Sequence, residues 1–357
     1  MRQRIRRLYR GDTRVNFIGN RQRWYLASAI MIAICLLSIG IRGFNYGVEF
    51  AGGNQFQIPV TGSSITTSQV NQAFSAAGTS PDTPAQAVGS GSTHQIVVKT
   101  GVLSTEKQQA LLDKVASILH LSPNQITTQS VSSSWGHDIT VKAIEGLIIF
   151  LVVVSIYISI RFQWRMAVGG ILALIHDLFI AAGIYSLVGF EVNPSTVVGL
   201  LTILGFSLYD TVVVYDKVAE NSKDLLAGSR MTYSEAANLA VNQTLMRSIN
   251  TSLIALLPVA GLLFVGAGIL GVGTIKDLAL ILFVGLASGA YSSLFLATPI
   301  VVDLTEAEPE YRALAKRVAA KRASEAAKGA TARPGEAALV AAGPVLAPSG
   351  ATRKSGG

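Results

Sequence analysis

Residues 194–216, PSTVVGLLTILGFSLYDTVVVYD, are apolar enough to cross a bilayer, yet they carry Asp210 within them and Asp216 at their end. A charged residue at the centre of a membrane helix costs about 2.5–3.5 kcal/mol on insertion scales. Such a residue is kept for a partner or a purpose, and the rest of the chain reads as the frame around it. Half of the 357 residues are hydrophobic, 14% are charged, and the mean hydropathy is +0.46. That balance excludes an ordinary soluble globular protein and points to a polytopic membrane protein. The formal net charge is +8. Its basic residues flank apolar segments, so they are assigned to orientation and to anionic membrane lipids, not to nucleic acid. Cys35 is the single cysteine and the sequence holds no Cys/His metal pattern, so neither metal nor other cofactor is expected.

Taken in order, residues 1–23 form a basic tail with eight arginines against Asp12 alone. The apolar segment 24–41 that follows is long and lacks an A-x-A site, which favours a first membrane span over a signal peptide. Residues 42–137 are polar. Their pattern predicts a strand at 55–60, a helix at 67–77, strands at 85–88 and 94–100, a helix at 105–119 and a strand at 125–133. The order β-α-β-β-α-β predicts a small ferredoxin-like α+β domain between the first and second spans. Five further spans are expected within 138–302, at 139–160, 166–189, 194–216, 247–270 and 278–302. Each is long enough for a hydrocarbon core of ~30 Å at ~1.5 Å per residue. The basic loop 161–165, and Lys217, Lys223 and Arg230 in the partly helical loop 217–246, place those loops and both termini inside the cell and the α+β domain outside. Residues 303–357 read as a cytoplasmic tail, helical over 306–328 and otherwise disordered for want of apolar residues.

Asp210 lies about 9 Å deeper than Asp216 by helical rise. Gly199 and Ser207 share its face to within about 60°. Asp210 either binds and releases protons or is a structural carboxylate paired permanently with Arg247. Arg247, at the start of the fifth span, either neutralises Asp210 in one state or snorkels to the interface. His176 and Asp177 point about 100° apart on one helix and are a proton relay or a structural pair. Asp216 reads as an interfacial acid. His176, Asp177, Ser207 and Asp216 are supporting positions, and Thr251, Ser252, Ser288, Ser292 and Ser293 read as packing glue between helices. No enzyme is expected. Tyr209-Asp210 resembles the Tyr-Asp pair of intramembrane aspartyl proteases, but the Gly-x-Gly-Asp motif that would supply the second carboxylate is missing. No phosphate-binding GxxxxGK[ST] loop is present either.

Five separated motifs then share one resemblance. GVEFAGG at 47–53, IRFQWR at 160–165, ALIHD at 173–177, GFSLYDTVVVYDKVAEN at 205–221 and NQTLMRSINTS at 242–252 resemble the signatures of the SecD/SecF family, on its SecF side. The likeness spans roughly residues 20–302. Tyr209 stands where the family has Asn, Lys217 where it has Arg, VEFAGG where it has DFTGG, and SSSWGHD at 132–138 where it has a glycine-rich lead-in. The resemblance implies a six-span half of a resistance–nodulation–division-type fold in the bacterial cytoplasmic membrane, completed by a SecD-like subunit. It implies work with the SecYEG channel, in which the proton motive force draws preproteins outward after SecA-driven insertion. Matched by motif, Asp210 is the proton-carrying acid and Arg247 its modulating partner. The alternatives are half of a proton-coupled small-molecule or lipid exporter of the same fold, and a passive scaffold for the channel.

Overall fold

Hydropathy and capping together set the helices. In a computed structural model, which describes residues 15–60, 65–88, 94–269 and 273–341, helix α1 spans Arg21–Arg42. It leads through the short strand β1 (Asn45–Tyr46) and the helical turn α2 (Val48–Ala51) into β2 (Gly53–Pro59). Next come α3 (Thr67–Ala76), β3 (Gln86–Val88), β4 (Gln95–Thr100), α4 (Thr105–Ile118) and β5 (Thr127–Val131). Then follow α5 (Ser133–Arg161), α6 (Trp164–Val188), β6 (Glu191–Val192), α7 (Pro194–Ser222) and α8 (Tyr233–Ala260), the last prolonged by a π-helical stretch, Gly261–Ile269. Helix α9 (Gly273–Ser292) passes through a second π stretch, Ser293–Ala297, into α10 (Thr298–Glu306), and α11 covers Pro309–Ala341. Among the described residues six helices are long and apolar enough to cross a membrane. The chain is a multi-pass membrane protein. The basic stretch 1–14 and the tail 342–357 lie outside the described residues.

Two helices differ from their expected limits. Helix α8 starts well before residue 247, because Thr232 and Glu235 form a reciprocal capping box. Its first turns bury Ala236, Ala237, Ala240 and Val241, small side chains whose packing hydropathy does not register. The C-terminal helix α11 runs past the expected limit at residue 328. Its Arg322 pairs with Glu235 at 2.7 Å, and Glu308 just before it pairs with Arg165.

The polar insert has the expected ferredoxin-like topology. Its four strands lie in the order β3-β4-β2-β5, every neighbour antiparallel. Alternation along β2 and β4 turns Phe56, Ile58, Ile96 and Val98 to one face. They pack there with Val70 and Phe74 of α3 and Leu111 and Val115 of α4. Thr66 and Gln69 cap α3 reciprocally, and Ser104 caps α4.

This domain is fastened to the membrane helices. Strand β1 pairs in parallel with β6. Lys99 of β4, only 8% exposed, ion-pairs with Glu191 of β6 at 3.0 Å and donates to the Tyr46 carbonyl at 3.1 Å. Burial pushes the Glu191 carboxyl up from its ordinary value, and the Lys99 ammonium offsets part of that. The Glu191 amide donates to Asp277 near the start of α9 at 3.2 Å. At the opposite end, residues 15–18 form a strap across α8. Asn238 accepts from the amides of Phe17 and Ile18, and Asn242 accepts from the amide of Val15 and donates to its carbonyl at 2.9 Å.

Inside the membrane domain α7 and α9 approach most closely along a seam of glycines. A Cβ at Gly199 would run into Ile281, one at Gly285 into Ile203, and one at Gly289 into Ser207. The spacing of four on both helices keeps the three contacts on one line.

Candidate functional site

Helix α7 begins where Asn193 caps it, accepting from the Thr196 amide at 3.0 Å, with Pro194 as its first residue. Asp210 follows about 24 Å along at 1.5 Å per residue. It is 8% exposed, and its Oδ2 accepts from the Ser293 hydroxyl at 2.9 Å. Ser293 is the first residue of the π stretch after α9, and π segments inside helices recur at functional positions. Ser248, buried on α8, faces the same carboxylate but its hydroxyl makes no regular hydrogen bond.

Of the two roles open to Arg247, the ion pair with Asp210 is not the one this arrangement forms. Its Nη2 donates to the Tyr209 hydroxyl at 3.4 Å. Its charge reaches the Asp210 carboxylate, but among the described residues Asp210 has no cation within ion-pair distance. Tyr209 is one of the positions that depart from the motif pattern the chain resembles, and it bears directly on where Arg247 is held. A cavity of about 70 Å³ borders Tyr209, Asp210, Thr251, Leu286 and Gly289, between α7, α8 and α9. It is large enough for water, and Tyr209 on its rim is half-exposed.

The second buried carboxylate is built differently. Asp177 of α6 is 1% exposed. It accepts from Ser207 of α7 at 2.6 Å, and from Ser288 and Ser292 of α9 at 2.6 and 2.7 Å. His176 Nδ1 lies 3.2 Å from its Oδ1. The neighbours therefore do meet each other, although they point apart along the helix. Among the described residues the buried His176 Nε2 has no hydrogen-bond partner, and the ring lies tilted against Tyr291 at 5.9 Å.

These distances correct one expectation: Ser207 serves Asp177 rather than Asp210. Gly199, on the same α7 face, lets α9 approach, its missing Cβ leaving room for Ile281. Ser288, Ser292 and Ser293 join helices by donating to buried carboxylates. The spacing of Ser288 and Ser292, one turn apart, was the available signal for the first two. Ser293 had no such signal, since its direction depends on how α9 is rotated. Asp216 lies where an interfacial acid belongs, half-exposed and paired with Arg161 at 3.0 Å. Among the described residues no three His, Cys, Asp or Glu side chains gather at metal-ligand range.

Residues 107–307 match the family model of protein export membrane protein SecD/SecF, C-terminal, and residues 37–63 match the SecD/SecF GG motif. The protein translocase subunit SecF of Streptomyces coelicolor is 48% identical over 326 residues, covering 91% of this chain and 86% of that one. The SecF subunit of Mycobacterium tuberculosis is 42% identical over 332 residues, covering 91% and 75%. Among solved structures, the crystal structure of SecDF, a translocon-associated membrane protein from Thermus thermophilus, superposes with a TM-score of 0.72 at 31% identity. That match covers 83% of this chain and 39% of the other, so the chain spans about two-fifths of the SecDF polypeptide.

Proposed function

Because the chain belongs to the SecD/SecF family, we propose that it is a protein translocase subunit acting beside a SecD-like partner, and that Asp210 carries the protons that drive it. The partner supplies the rest of the length that SecDF holds in one polypeptide. The two together work on the SecYEG channel, with both termini of this chain in the cytoplasm and the α/β domain outside. The proton motive force then completes the movement of preproteins that SecA has begun to push through.

The observation that carries this reading is the half-equipped state of Asp210. A buried carboxylate that has, among the described residues, one hydroxyl donor and no ion pair, and that borders a cavity, can exchange a proton without dismantling a network. Arg247, held by Tyr209, can turn toward the carboxylate when it is charged and away when it is neutral. A proton crossing ~100 mV releases ~2.3 kcal/mol from the potential alone. That is enough to bias helices between two arrangements differing by a few kcal/mol. Movement of α9 would reach the α/β domain through Asp277 and Glu191.

The test is preprotein export into inverted vesicles, with and without an uncoupler, after ATP-driven insertion has been halted. Asp210→Asn should leave the protein inserted and bound to its partner, and should remove the uncoupler-sensitive part of export. Arg247→Met should impair the same part, and Asp216→Asn should do much less. Vesicles with Asp210→Asn that stay as uncoupler-sensitive as wild type would leave the passive-scaffold reading in its place.

A further inference from the structure

We propose that Asp177 is the positioning residue of the Asp210 site, an acceptor-only anchor that sets the rotation and height of α9 so that Ser293 meets Asp210. The inference rests on Asp210 as the proton carrier, and it assigns Asp177 a part that does not involve carrying protons.

The geometry is a two-point attachment. Ser288 and Ser292 lie one turn apart on α9, and both donate to Asp177. A single contact would let α9 turn about it, whereas two along one helix fix turn and slide together. Ser293 is the next residue, about 100° further round, which carries its hydroxyl from the α6 side to the α7 side. The third donor, Ser207, is one turn before Asp210 on α7. Asp177 thus holds both helices that meet at Asp210, and the Gly289–Ser207 contact closes the same level of the seam. The π stretch begins at Ser293. Just past the anchored turns, then, the backbone leaves the regular α register.

The chemistry of the cradle suits an anchor. A carboxylate only accepts, and three hydroxyls donating at 2.6–2.7 Å have the length of charge-assisted bonds. The four side chains are each at most 7% exposed. Facing Asp177 from its own helix is His176, and from α7 and α9 only serines. Facing Asp210 are Ser248 and Arg247 of α8 and Ser293. The two carboxylates therefore differ in saturation: Asp177 has its donors in place, and Asp210 has one.

The experiment uses the full chain with its partner in isolated membranes. Asp210 is labelled over a pH series with a hydrophobic carbodiimide, which reacts with protonated carboxyls in apolar surroundings. Ser293→Ala should move the labelling midpoint by roughly one to two pH units, the worth of a hydrogen bond to a charged group. Asp177→Asn should move it the same way. The double variant should move it no further than Ser293→Ala alone, because both changes remove one contact. The milder Ser288→Ala serves if Asp177→Asn does not insert. A midpoint unmoved by Asp177→Asn, or full additivity in the double variant, overturns the proposal. A second readout is independent of titration. In a Cys35→Ser background, Asp210→Cys and Ser293→Cys should be joined by a short bis-thiosulfonate, with the yield falling about tenfold when Asp177→Asn is added. Absence of Asp210 labelling at every pH would remove the proton-carrying reading. The cross-link would then decide Asp177 by itself: a retained yield overturns the anchor, and a lost yield supports it.

Discussion

In the α/β domain the large apolar side chains are inside, whereas on α1, α5 and α8 they face outward. Phe56, Ile58 and Phe74 are at most 1% exposed, while Ile30, Leu37, Ile148, Val153 and Leu257 are all more than half exposed. The membrane domain also buries Ser207, Ser292, Thr211, His176 and three aspartates, Asp177, Asp210 and Asp277. The difference follows from the solvent. Water drives apolar groups together in the first region. Lipid gives no such drive in the second, so close approach of small residues and hydrogen bonds between helices hold it. The same residue type therefore has opposite value in the two places.

The largest effect that could break this comparison is expected in the water-facing domain. Phe74→Ala should cost about 3–5 kcal/mol, as large-to-small changes in a core do. Denaturant unfolding of the α/β domain within the intact protein would measure it, and a cost below about 1 kcal/mol would mean that its core is not what folds it. Next comes the seam. Gly285→Leu places a side chain against Ile203 of α7, and overpacking of this kind costs about 1–3 kcal/mol or more. The variant should lose monodisperse behaviour in detergent, and a wild-type elution profile would show that the seam is not what joins α7 to α9.

Smaller is the effect at the junction between the regions. A carboxyl whose folded-state value is raised, as burial raises that of Glu191, stabilises the docked form fully below the ordinary value of 4.5. That contribution is lost as the pH rises through the raised value. The melting temperature of the wild type should thus climb, relative to Glu191→Gln, as the medium is acidified toward 4.5, by at most about 2–4 °C. A parallel pair of curves would show that Glu191 does not sense pH. The smallest effect belongs to the lipid-facing surface. Ile148→Ala, at a position 56% exposed, should change stability by less than about 0.5 kcal/mol. A larger loss would mark that face of α5 as covered by protein.

The two regions also differed in how far they could be read beforehand. Alternation in QIVVKT, the caps at Thr66 and Ser104, and the order of elements determine the α/β domain almost completely. Each of those signals is local, and the sheet follows from their sequence. The six spans were equally plain from hydropathy. The start of α8 was written in Thr232 and Glu235 but hidden by the low hydropathy of the alanines and asparagines after them. Asp210 stood out because a charge in an apolar run is rare. Its partner did not, because Ser293 reaches it only through the rotation of α9. That rotation is set by contacts among three helices, and no periodicity within one helix encodes it. Arg247 is held by a single side chain, Tyr209.

The strap at residues 15–18 bears on how such a chain is made. Val15 is held by Asn242, 227 positions later in the sequence. At synthesis rates of about 5–20 residues per second, the strap emerges on the order of ten to fifty seconds before the helix that clasps it. Throughout that interval the strap lacks the asparagines that hold it across the helix. Its docking is therefore a late event in biogenesis, and a chain stopped before α8 leaves residues 15–18 without that clasp, a mark by which an unfinished copy differs from a finished one.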